Sequence, residues 1–266
     1  MAMEMHPTLM IGGGIGFIFL MTCLGSATVF LFRKNDSGKT GPVFLGFAAG
    51  VMIAASVWGL LIPAIEEAQE GFLPPWLPAV GGFILGVVFL IVLDNVLPHI
   101  HPVENIREGM PSASKRTTLL ISAVTLHNIP EGMAIGLAFA LAAQSGNPAM
   151  YASATALAIG IGIQNVPEGA AIAHVLRGEG FSRGKSFVYA CLTGIVEPFF
   201  GVLAVLLAFW IAPVMSWLLA FAAGAMIYVV VEELIPEAHL NSHSHTGSLS
   251  VISGFLVMMV LSITIG

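Results

Sequence analysis

Two related stretches decide the fold: HNIPEGMAI at residues 127–135 and QNVPEGAAI at residues 164–172. They begin 37 residues apart on consecutive apolar segments, and each places a proline and a glutamate inside its segment. Consecutive membrane spans run in opposite directions, so the same local structure is presented twice, once upside down. Inverted repeats with a binding site near the midplane are typical of transporters.

The composition of the whole chain agrees with membrane-spanning segments. Of its 266 residues, 57% are hydrophobic and 9% are charged, and the mean hydropathy is +0.93. A soluble domain carries about 25% charged residues, so an ordinary soluble enzyme and a disordered chain are excluded. Nine Lys and Arg against fifteen Asp and Glu exclude nucleic acid as a partner. We therefore expect an integral membrane protein surrounded by lipid.

Two further features concern processing and the chemistry of the cysteines. The N-terminus, MAMEMHPTLM, lacks the basic region of a signal peptide, so we expect no cleavage there. Cys23 and Cys191 both lie within apolar runs. Neither a disulfide framework nor a cysteine zinc site is therefore indicated.

Windows of about 20 apolar residues, the length that crosses a bilayer, predict an all-α protein with eight transmembrane helices. We interpret residues 1–266 as a single transmembrane transporter domain. The breaks between the windows have turn-forming or polar composition. The windows cover residues 8–32, 42–65, 77–98, 117–143, 149–176, 184–211, 213–236 and 248–265.

The positive charges predict the orientation. Loops rich in Lys and Arg stay on the cytoplasmic side of a membrane. All nine cations follow the first, third or fifth predicted span, and none lies at either terminus: Arg33, Lys34, Lys39, Arg107, Lys115, Arg116, Arg177, Arg183 and Lys185. Eight helices in a cytoplasmic (inner or plasma) membrane, with both termini outside, account for every one of them.

A second repeat extends the inverted symmetry. Residues 47–53 read FAAGVMI and residues 221–227 read FAAGAMI, and LIP follows each at 61–63 and 234–236. These motifs fall on the second and seventh predicted spans, which are also antiparallel. Both repeats together predict a bundle of three helices, a central pair and three inverted helices.

Polar side chains recur at one depth in the fourth, fifth and sixth predicted spans. An ionisable residue at a helix centre costs about 2.5–3.5 kcal/mol on insertion scales, and no Lys or Arg lies in these spans at that level. Either the carboxylates are protonated or a cation lies among them. The candidate metal ligands are His127, Asn128, Glu131, Gln164, Asn165, Glu168 and Glu197.

The spacing of these residues favours a cation. His127 and Glu131 are four residues apart and Asn128 and Glu131 three apart, so all three can converge from one helical face. Pro130, Pro167 and Pro198 each free a backbone carbonyl one turn earlier. Carboxylates, an imidazole and amide oxygens without a thiolate suit Zn, Fe(II), Mn or Co better than Cu(I). The alternative is that the imidazole and amides make interhelical hydrogen bonds and the prolines are ordinary kinks.

HNIPEG and QNVPEG resemble the paired signature of the ZIP (Zrt/Irt-like) metal transporters, in particular their bacterial GufA-like branch, over essentially the whole chain. The resemblance implies uptake of a divalent metal into the cytoplasm through a binuclear midplane centre, commonly in a homodimer. Zinc is the first expected substrate, with iron, manganese, cobalt or cadmium as others, and no cofactor is implied. By motif position, His127, Gln164 and Glu168 would form one metal position, with Glu131 nearby. The second position would be formed by Asn128, Glu131, Asn165, Glu168 and Glu197.

Further polar residues predict a path to and from this centre. Glu66, Glu67 and Glu70 end the second span outside, where an acidic mouth would concentrate cations; a solvated helix end is the alternative. Ser56 lies on the same span at a depth where it could approach the centre. On the cytoplasmic side, the expected exit residues are Asp94, Glu232, Glu233 and His239.

Other functions stay open at this point. Acid-lined spans also suit a cation channel, and HxxxE with further carboxylates could hold a catalytic zinc in an intramembrane metalloenzyme. The chain lacks the HExxH motif of a metalloprotease. A metal sensor would be expected to carry a soluble output domain. We therefore expect a transporter with alternating access and not an enzyme.

Overall fold

The structure is a computed structural model that describes residues 7–31, 37–69, 71, 73–96, 99–100, 107–108, 116–238 and 245–265. Nearly all of these residues are helical. The longer α-helices are α1 Pro7–Ala27, α2 Ser37–Ala54, α3 Ile62–Gln69, α4 Trp76–Val96, α5 Arg116–Ser145, α6 Pro148–Gly178, α7 Arg183–Thr193, α8 Val196–Leu206, α10 Met215–Val229 and α12 Thr246–Thr264. Two short helices complete the series, α9 Ala208–Ile211 and α11 Ile235–Ala238.

Apart from the α-helices, the described part of the chain contains only a few short regular elements. Strands β1 (His99–Ile100) and β2 (Arg107–Glu108) pair antiparallel between α4 and α5, with His99 opposite Glu108. Single 3-10 turns cover Thr28–Phe30 and Ala212–Val214. Helices therefore make up nearly all of the described structure, as the apolar windows predicted.

Seven segments of the described residues are long and apolar enough to cross a membrane. They are Thr8–Phe30, Leu45–Gln69, Trp76–Leu93, Pro148–Gly178, Arg183–Leu206, Ala212–Glu232 and Thr246–Thr264. Helix α5 fills the remaining predicted window and is 30 residues long. Helix α5 is not one of these seven apolar segments. It carries Asn128, Pro130 and Glu131 near its middle.

The sixth predicted span, 184–211, is interrupted where the sequence suggested one continuous helix. Helix α7 ends at Thr193, and α8 begins at Val196. Pro198 has no N–H to bond the carbonyl of Gly194, the residue four positions earlier. The N–H of Glu197 bonds that carbonyl instead, at 3.1 Å. Glu197 therefore lies in the first turn of α8, where the positive end of the helix dipole faces a carboxylate favourably.

The second and seventh predicted spans share a widened turn. Helix α2 continues into the π-helical segment Ala55–Leu61, and α10 continues into the π-helical segment Val230–Leu234. Both segments end at the leucine of an LIP motif, and the following isoleucine N–H bonds a carbonyl five residues earlier. The repeat seen in the sequence is thus also a repeat of local backbone structure.

The FAAG motifs are helix-packing surfaces. Helix α2 packs against α12, and α10 packs against α4. A Cβ at Gly254 would collide with the carbonyl oxygen of Phe47, and a Cβ at Gly86 would collide with that of Phe221. Glycine at these contacts lets two helix backbones approach closely, as is common in membranes. The phenylalanine that opens each motif therefore marks the same kind of contact twice.

Two further helix pairs enclose the centre of the bundle. Helix α1 packs on α6, α8 packs on α5, and α5 and α6 contact each other. The interior between them is apolar and closely packed, with Phe139, Leu157 and Ile161 at most 1% exposed. The outer surface keeps large apolar side chains exposed, as lipid contact requires. The polar motifs therefore lie inside an apolar bundle.

Candidate metal centre

The PEG motifs of α5 and α6 lie at the contact between these two helices. Both helices continue through their prolines, Pro130 and Pro167. Five of the predicted ligands are at most 1% exposed: Asn128, Glu131, Gln164, Asn165 and Glu197. Glu168, one turn further along α6, is half-buried. The structure therefore brings the described part of the predicted set to one level of the bundle.

The glycines of the PEG motifs admit two neighbouring helices to this level. A Cβ at Gly132 would collide with the backbone of Glu197 on α8, and a Cβ at Gly169 with the carbonyl oxygen of Thr22 on α1. Each glycine thus removes the side chain that would hold its neighbour away. As a result α8 and α1, which are far apart in the sequence, contribute Glu197 and Thr22 to the centre.

Gln164 joins the two motifs. Its amide nitrogen, Nε2, donates to Oε1 of Glu131 at 2.5 Å and to Oδ1 of Asn165 at 3.1 Å. A hydrogen bond to a carboxylate is stronger than one between neutral groups. This contact fixes the α6 amide against the α5 carboxylate.

Glu197 is held on both oxygens by a second set of hydrogen bonds. Asn165 Nδ2 donates to Oε2 of Glu197 at 2.9 Å, and Thr22 Oγ1 donates to Oε1 at 3.1 Å. Asn165 also donates to the hydroxyl of Thr22 at 3.1 Å. Asn165, Thr22 and Glu197 form a closed triangle, in which each side chain bonds the other two.

Among the described residues, four buried side-chain oxygen atoms have no hydrogen-bond partner. Three of them belong to the predicted ligands, Asn128 Oδ1, Glu131 Oε2 and Gln164 Oε1, and the fourth is Ser186 Oγ on α7. The amide nitrogens of Asn128 and Gln164 do have partners. Asn128 Nδ2 donates to the carbonyl of Thr193 at 3.1 Å, and Gln164 Nε2 donates to Glu131. Leaving a buried acceptor unpaired costs about 1–3 kcal/mol. Acceptors without donors are what a cation would satisfy, and three of the four belong to the predicted ligands.

The carboxylates are near neighbours without forming a ready-made ligand shell. Glu131, Glu168 and Glu197 lie close enough for their charges to interact. Within the described residues, no three His, Cys, Asp or Glu side chains converge as a metal-binding group. The hydrogen bonds explain this arrangement, because Glu197 faces Thr22 and Asn165 whereas Glu131 faces Gln164.

Several predicted residues fall outside the described part of the chain. The structure does not describe the side chains of His127, Asp94 and Glu233, nor Glu70 and His239. Glu232 is exposed in the π-helical segment of the seventh span. Ser56 is buried and donates its hydroxyl to the carbonyl of Met52 at 2.7 Å, within its own helix.

A cavity of about 230 Å³ opens at one end of the bundle and includes Glu66. Its other walls come from the second span, from α5 and α6 and from α10, with Asn147 at the rim. None of the described metal-centre residues lines it. Glu67 is half-buried beside Glu66. Of the acids predicted to form a mouth, Glu66 therefore lines this cavity, which the described residues of the centre do not reach.

Sequence reasoning missed Thr22. It lies on α1 with only 2% exposure and bonds both Glu197 and Asn165. The available signal was the spacing of Thr22 and Ser26, four residues apart and therefore on one face of an otherwise apolar helix. Ser26 donates to the carbonyls of Thr22 and Gly169, so this face contacts the α6 motif along its length.

Comparison with known proteins gives one consistent result. The family model described as ZIP Zinc transporter matches residues 104–262. Zinc transporter ZIP11 of Bos taurus is 36% identical over 333 aligned residues, which cover 95% of this chain and 96% of the relative. Zinc transporter GufA of Myxococcus xanthus is 36% identical, covering 92% and 94% respectively. Zinc transporter ZIPB of Bordetella bronchiseptica is 37% identical, covering 96% and 81%.

Proposed function

The chain belongs to the ZIP family of zinc transporters, and we propose that it carries zinc, or a similar divalent transition metal, into the cytoplasm through the centre between α5 and α6. Its relatives are named as zinc transporters rather than enzymes. The metal is the transported substrate and not a resident cofactor.

The observation that carries this proposal is the set of unpaired acceptors. Asn128 Oδ1, Glu131 Oε2 and Gln164 Oε1 are buried oxygens without donors. Oxygen ligands of this kind suit divalent metals of borderline to hard character. A metal bound here would also offset the mutual repulsion of Glu131, Glu168 and Glu197.

We assign two metal positions of unequal strength. The first uses His127, Gln164 and Glu168 with Glu131, where Gln164 and Glu131 have oxygens to offer. The second uses Asn128, which also has an unpaired oxygen, together with Glu131, Asn165, Glu168 and Glu197. Asn165 already donates to Glu197 and accepts from Gln164, so a metal there must displace existing hydrogen bonds. We therefore expect the first position to bind more tightly.

The packing of the helices supports transport by alternating access. In the proposed repeat, spans one, two and three correspond to spans six, seven and eight, and α5 corresponds to α6. The contact of α1 with α6 then has its counterpart in the contact of α8 with α5. In the same way, the contact of α2 with α12 has its counterpart in the contact of α10 with α4. Inverted repeats of this kind can exchange conformations around a fixed site. We propose eight spans in a three, two and three arrangement, with both termini outside and two chains forming a homodimer in the lipid bilayer.

The path follows from this orientation. Glu66, with Glu67 and Glu70, would lie at the outer end, and none of the described residues of the centre lines its cavity. We propose that this structure represents a state closed to the outside. Ser56 lies on span two at a depth where it could approach the centre. Release toward the cytoplasm would then pass the acids Asp94, Glu232 and Glu233, with His239 receiving the metal.

The test is zinc uptake by purified protein in liposomes containing a fluorescent zinc indicator. A carrier gives uptake that saturates with zinc concentration and depends steeply on temperature. Flux that stays proportional to concentration would indicate a channel, and no flux above protein-free liposomes would reject the proposal. Anomalous scattering from crystals at several metal edges would count the bound metals and identify their ligands.

Removing the carboxylate at the outer mouth should weaken zinc capture. We expect Glu66→Gln to raise the KM for zinc about twofold at low ionic strength, because a local negative charge concentrates cations. The effect should disappear at about 1 M salt, where the Debye length is about 3 Å. Glu179→Gln, an exposed acid at the other end of α6, is the matched control. An equal KM for Glu66→Gln and the unmodified protein at low salt would show that the mouth is merely solvated.

Thr22 should position Glu197 through its hydroxyl. We expect Thr22→Val to raise the KM about two- to tenfold, because a net hydrogen bond contributes about 0.5–1.5 kcal/mol. Thr22→Ser keeps the hydroxyl and should retain the original KM. Uptake kinetics at several zinc concentrations separate this effect from a loss of folded protein, which would lower the maximal rate. Equal KM values for the valine and serine variants would contradict the role.

A further inference from the structure

The two glycines of the PEG motifs make matching contacts with different helices. Gly132 on α5 lies against the backbone of Glu197 on α8, and Gly169 on α6 lies against the backbone of Thr22 on α1. The two glycines hold the same place in HNIPEG and QNVPEG. Thr22 therefore meets the second motif at the place where Glu197 meets the first.

The asparagines of the two motifs repeat this correspondence. Asn128 Nδ2 donates to the carbonyl of Thr193 on α8 at 3.1 Å, and Asn165 Nδ2 donates to the carbonyl of Ile18 on α1 at 3.3 Å. Each acceptor lies four residues before the residue that faces the glycine on the same helix. The match thus extends over a full turn of α1 and α8, and it involves backbone atoms of both helices.

Thr22 also shares the surroundings of Glu197. Both side chains are buried. Asn165 Nδ2 donates to Thr22 Oγ1 at 3.1 Å and to Glu197 Oε2 at 2.9 Å, and the hydroxyl of Thr22 donates to Oε1 of Glu197 at 3.1 Å. The two positions therefore belong to one cluster, and they differ in that one carries a carboxylate and the other a neutral hydroxyl.

We propose that Thr22 occupies a metal-ligand position of the centre, equivalent to that of Glu197, and that its neutral hydroxyl sets the affinity of the second metal position. This inference rests on the proposed function and deepens it, because the ligand is the same divalent metal. Oxygen atoms of either side chain suit a metal of borderline to hard character, but only the carboxylate adds a negative charge that attracts it. A carboxylate on either helix should therefore serve the same metal position.

A neutral residue at this position suits a metal that must leave again. Transport requires binding that is favourable enough for entry and weak enough for release. Glu131, Glu168 and Glu197 already bring three carboxylates to the proposed centre. A fourth carboxylate in place of Thr22 should hold the metal more tightly and slow its release.

The experiment measures zinc binding to the purified, metal-free protein in detergent by isothermal titration calorimetry, so the readout does not depend on transport. Glu197→Thr should weaken zinc binding at least about tenfold, the lower end of the cost of losing a residue that only supports a ligand. Thr22→Glu combined with Glu197→Thr moves the carboxylate to α1 at constant net charge and should restore the original affinity. Ser26→Glu combined with Glu197→Thr, the matched control, adds the charge one turn further along α1 and should not restore it.

A second pair of variants keeps the side chain at position 22 small. Thr22→Asp and Thr22→Asn differ in charge at nearly constant size. The aspartate variant should bind zinc more tightly than the asparagine variant by the same factor, because of its additional negative charge. Its maximal rate of zinc uptake in liposomes should be lower than that of the unmodified protein, since release becomes slower.

The outcomes separate this inference from the proposed function. Weak binding in both combined variants, restored binding in both, or equal affinities of Thr22→Asp and Thr22→Asn would overturn the inference alone. Full affinity in Glu197→Thr would overturn it as well, because Glu197 would then not be a ligand. If the unmodified protein binds no zinc, the proposed function fails and the inference fails with it. Size exclusion establishes that each variant is folded, and if the combined variants are not, the aspartate and asparagine pair decides.

Discussion

Replacing Glu131 by glutamine should lower zinc uptake by at least about tenfold, because loss of a charged ligand costs more than the 1.4 kcal/mol that corresponds to a factor of ten. Glu131 has one oxygen bonded to Gln164 and one without a partner. Glutamine keeps the shape of the side chain and an oxygen that can accept from Gln164. It removes the negative charge that would hold the metal.

Uptake by purified Glu131→Gln protein in liposomes checks this expectation. The matched control is Glu179→Gln, which removes the same charge from an exposed turn. Elution of both variants as single species on size exclusion would show that folding is intact. Uptake by Glu131→Gln at the rate of the control would mean that the centre between α5 and α6 does not bind the transported metal.

Gly132→Val should have the largest effect on stability. Gly132 lies against the backbone of Glu197, so any side chain there must push α8 away from α5. Overpacking of a buried contact costs about 1–3 kcal/mol and sometimes more. Displacement of α8 also moves Glu197 away from Thr22 and Asn165. We expect a melting temperature several degrees lower and little uptake by the protein that remains folded.

A thermal stability series in detergent tests this expectation, with size-exclusion chromatography after heating as the readout. Gly12→Ala serves as the control, because nothing lies within 4 Å of a Cβ at that position. The valine variant should lose its monodisperse peak first, and the alanine variant should behave as the unmodified protein. Equal stability of both variants would show that the α5–α8 contact can open without cost.

The polar residues that the structure brings to one level could be found in the sequence because they interrupt apolar segments. Glu131 and Gln164 interrupt apolar runs, and such exceptions need a partner or a ligand. Helix periodicity then placed them on facing surfaces. Thr22 gave no comparable signal, since a single hydroxyl in an apolar helix usually bonds its own backbone, as Thr22 also does to Ile18.

Departures of the backbone from a regular α-helix were harder to predict. Pro198 lies at a break in the helix, whereas Pro130 and Pro167 do not interrupt theirs. The difference lies in the sequence before the proline, because Gly194 destabilises the helix where the missing hydrogen bond falls. The π-helical segments gave no sequence signal beyond their repeated LIP ending, since a wide turn depends on tertiary packing.

The FAAG contacts join helices from opposite ends of the chain, and this affects how the protein is made. Helix α2 meets α12 through Gly50 and Gly254, 204 residues apart. At about 5–20 residues per second of translation, α2 waits about 10–40 s in the bilayer before its partner leaves the ribosome. The early spans must therefore be stable in lipid before the last helix arrives. The contact between α2 and α12 can thus form only at the end of synthesis.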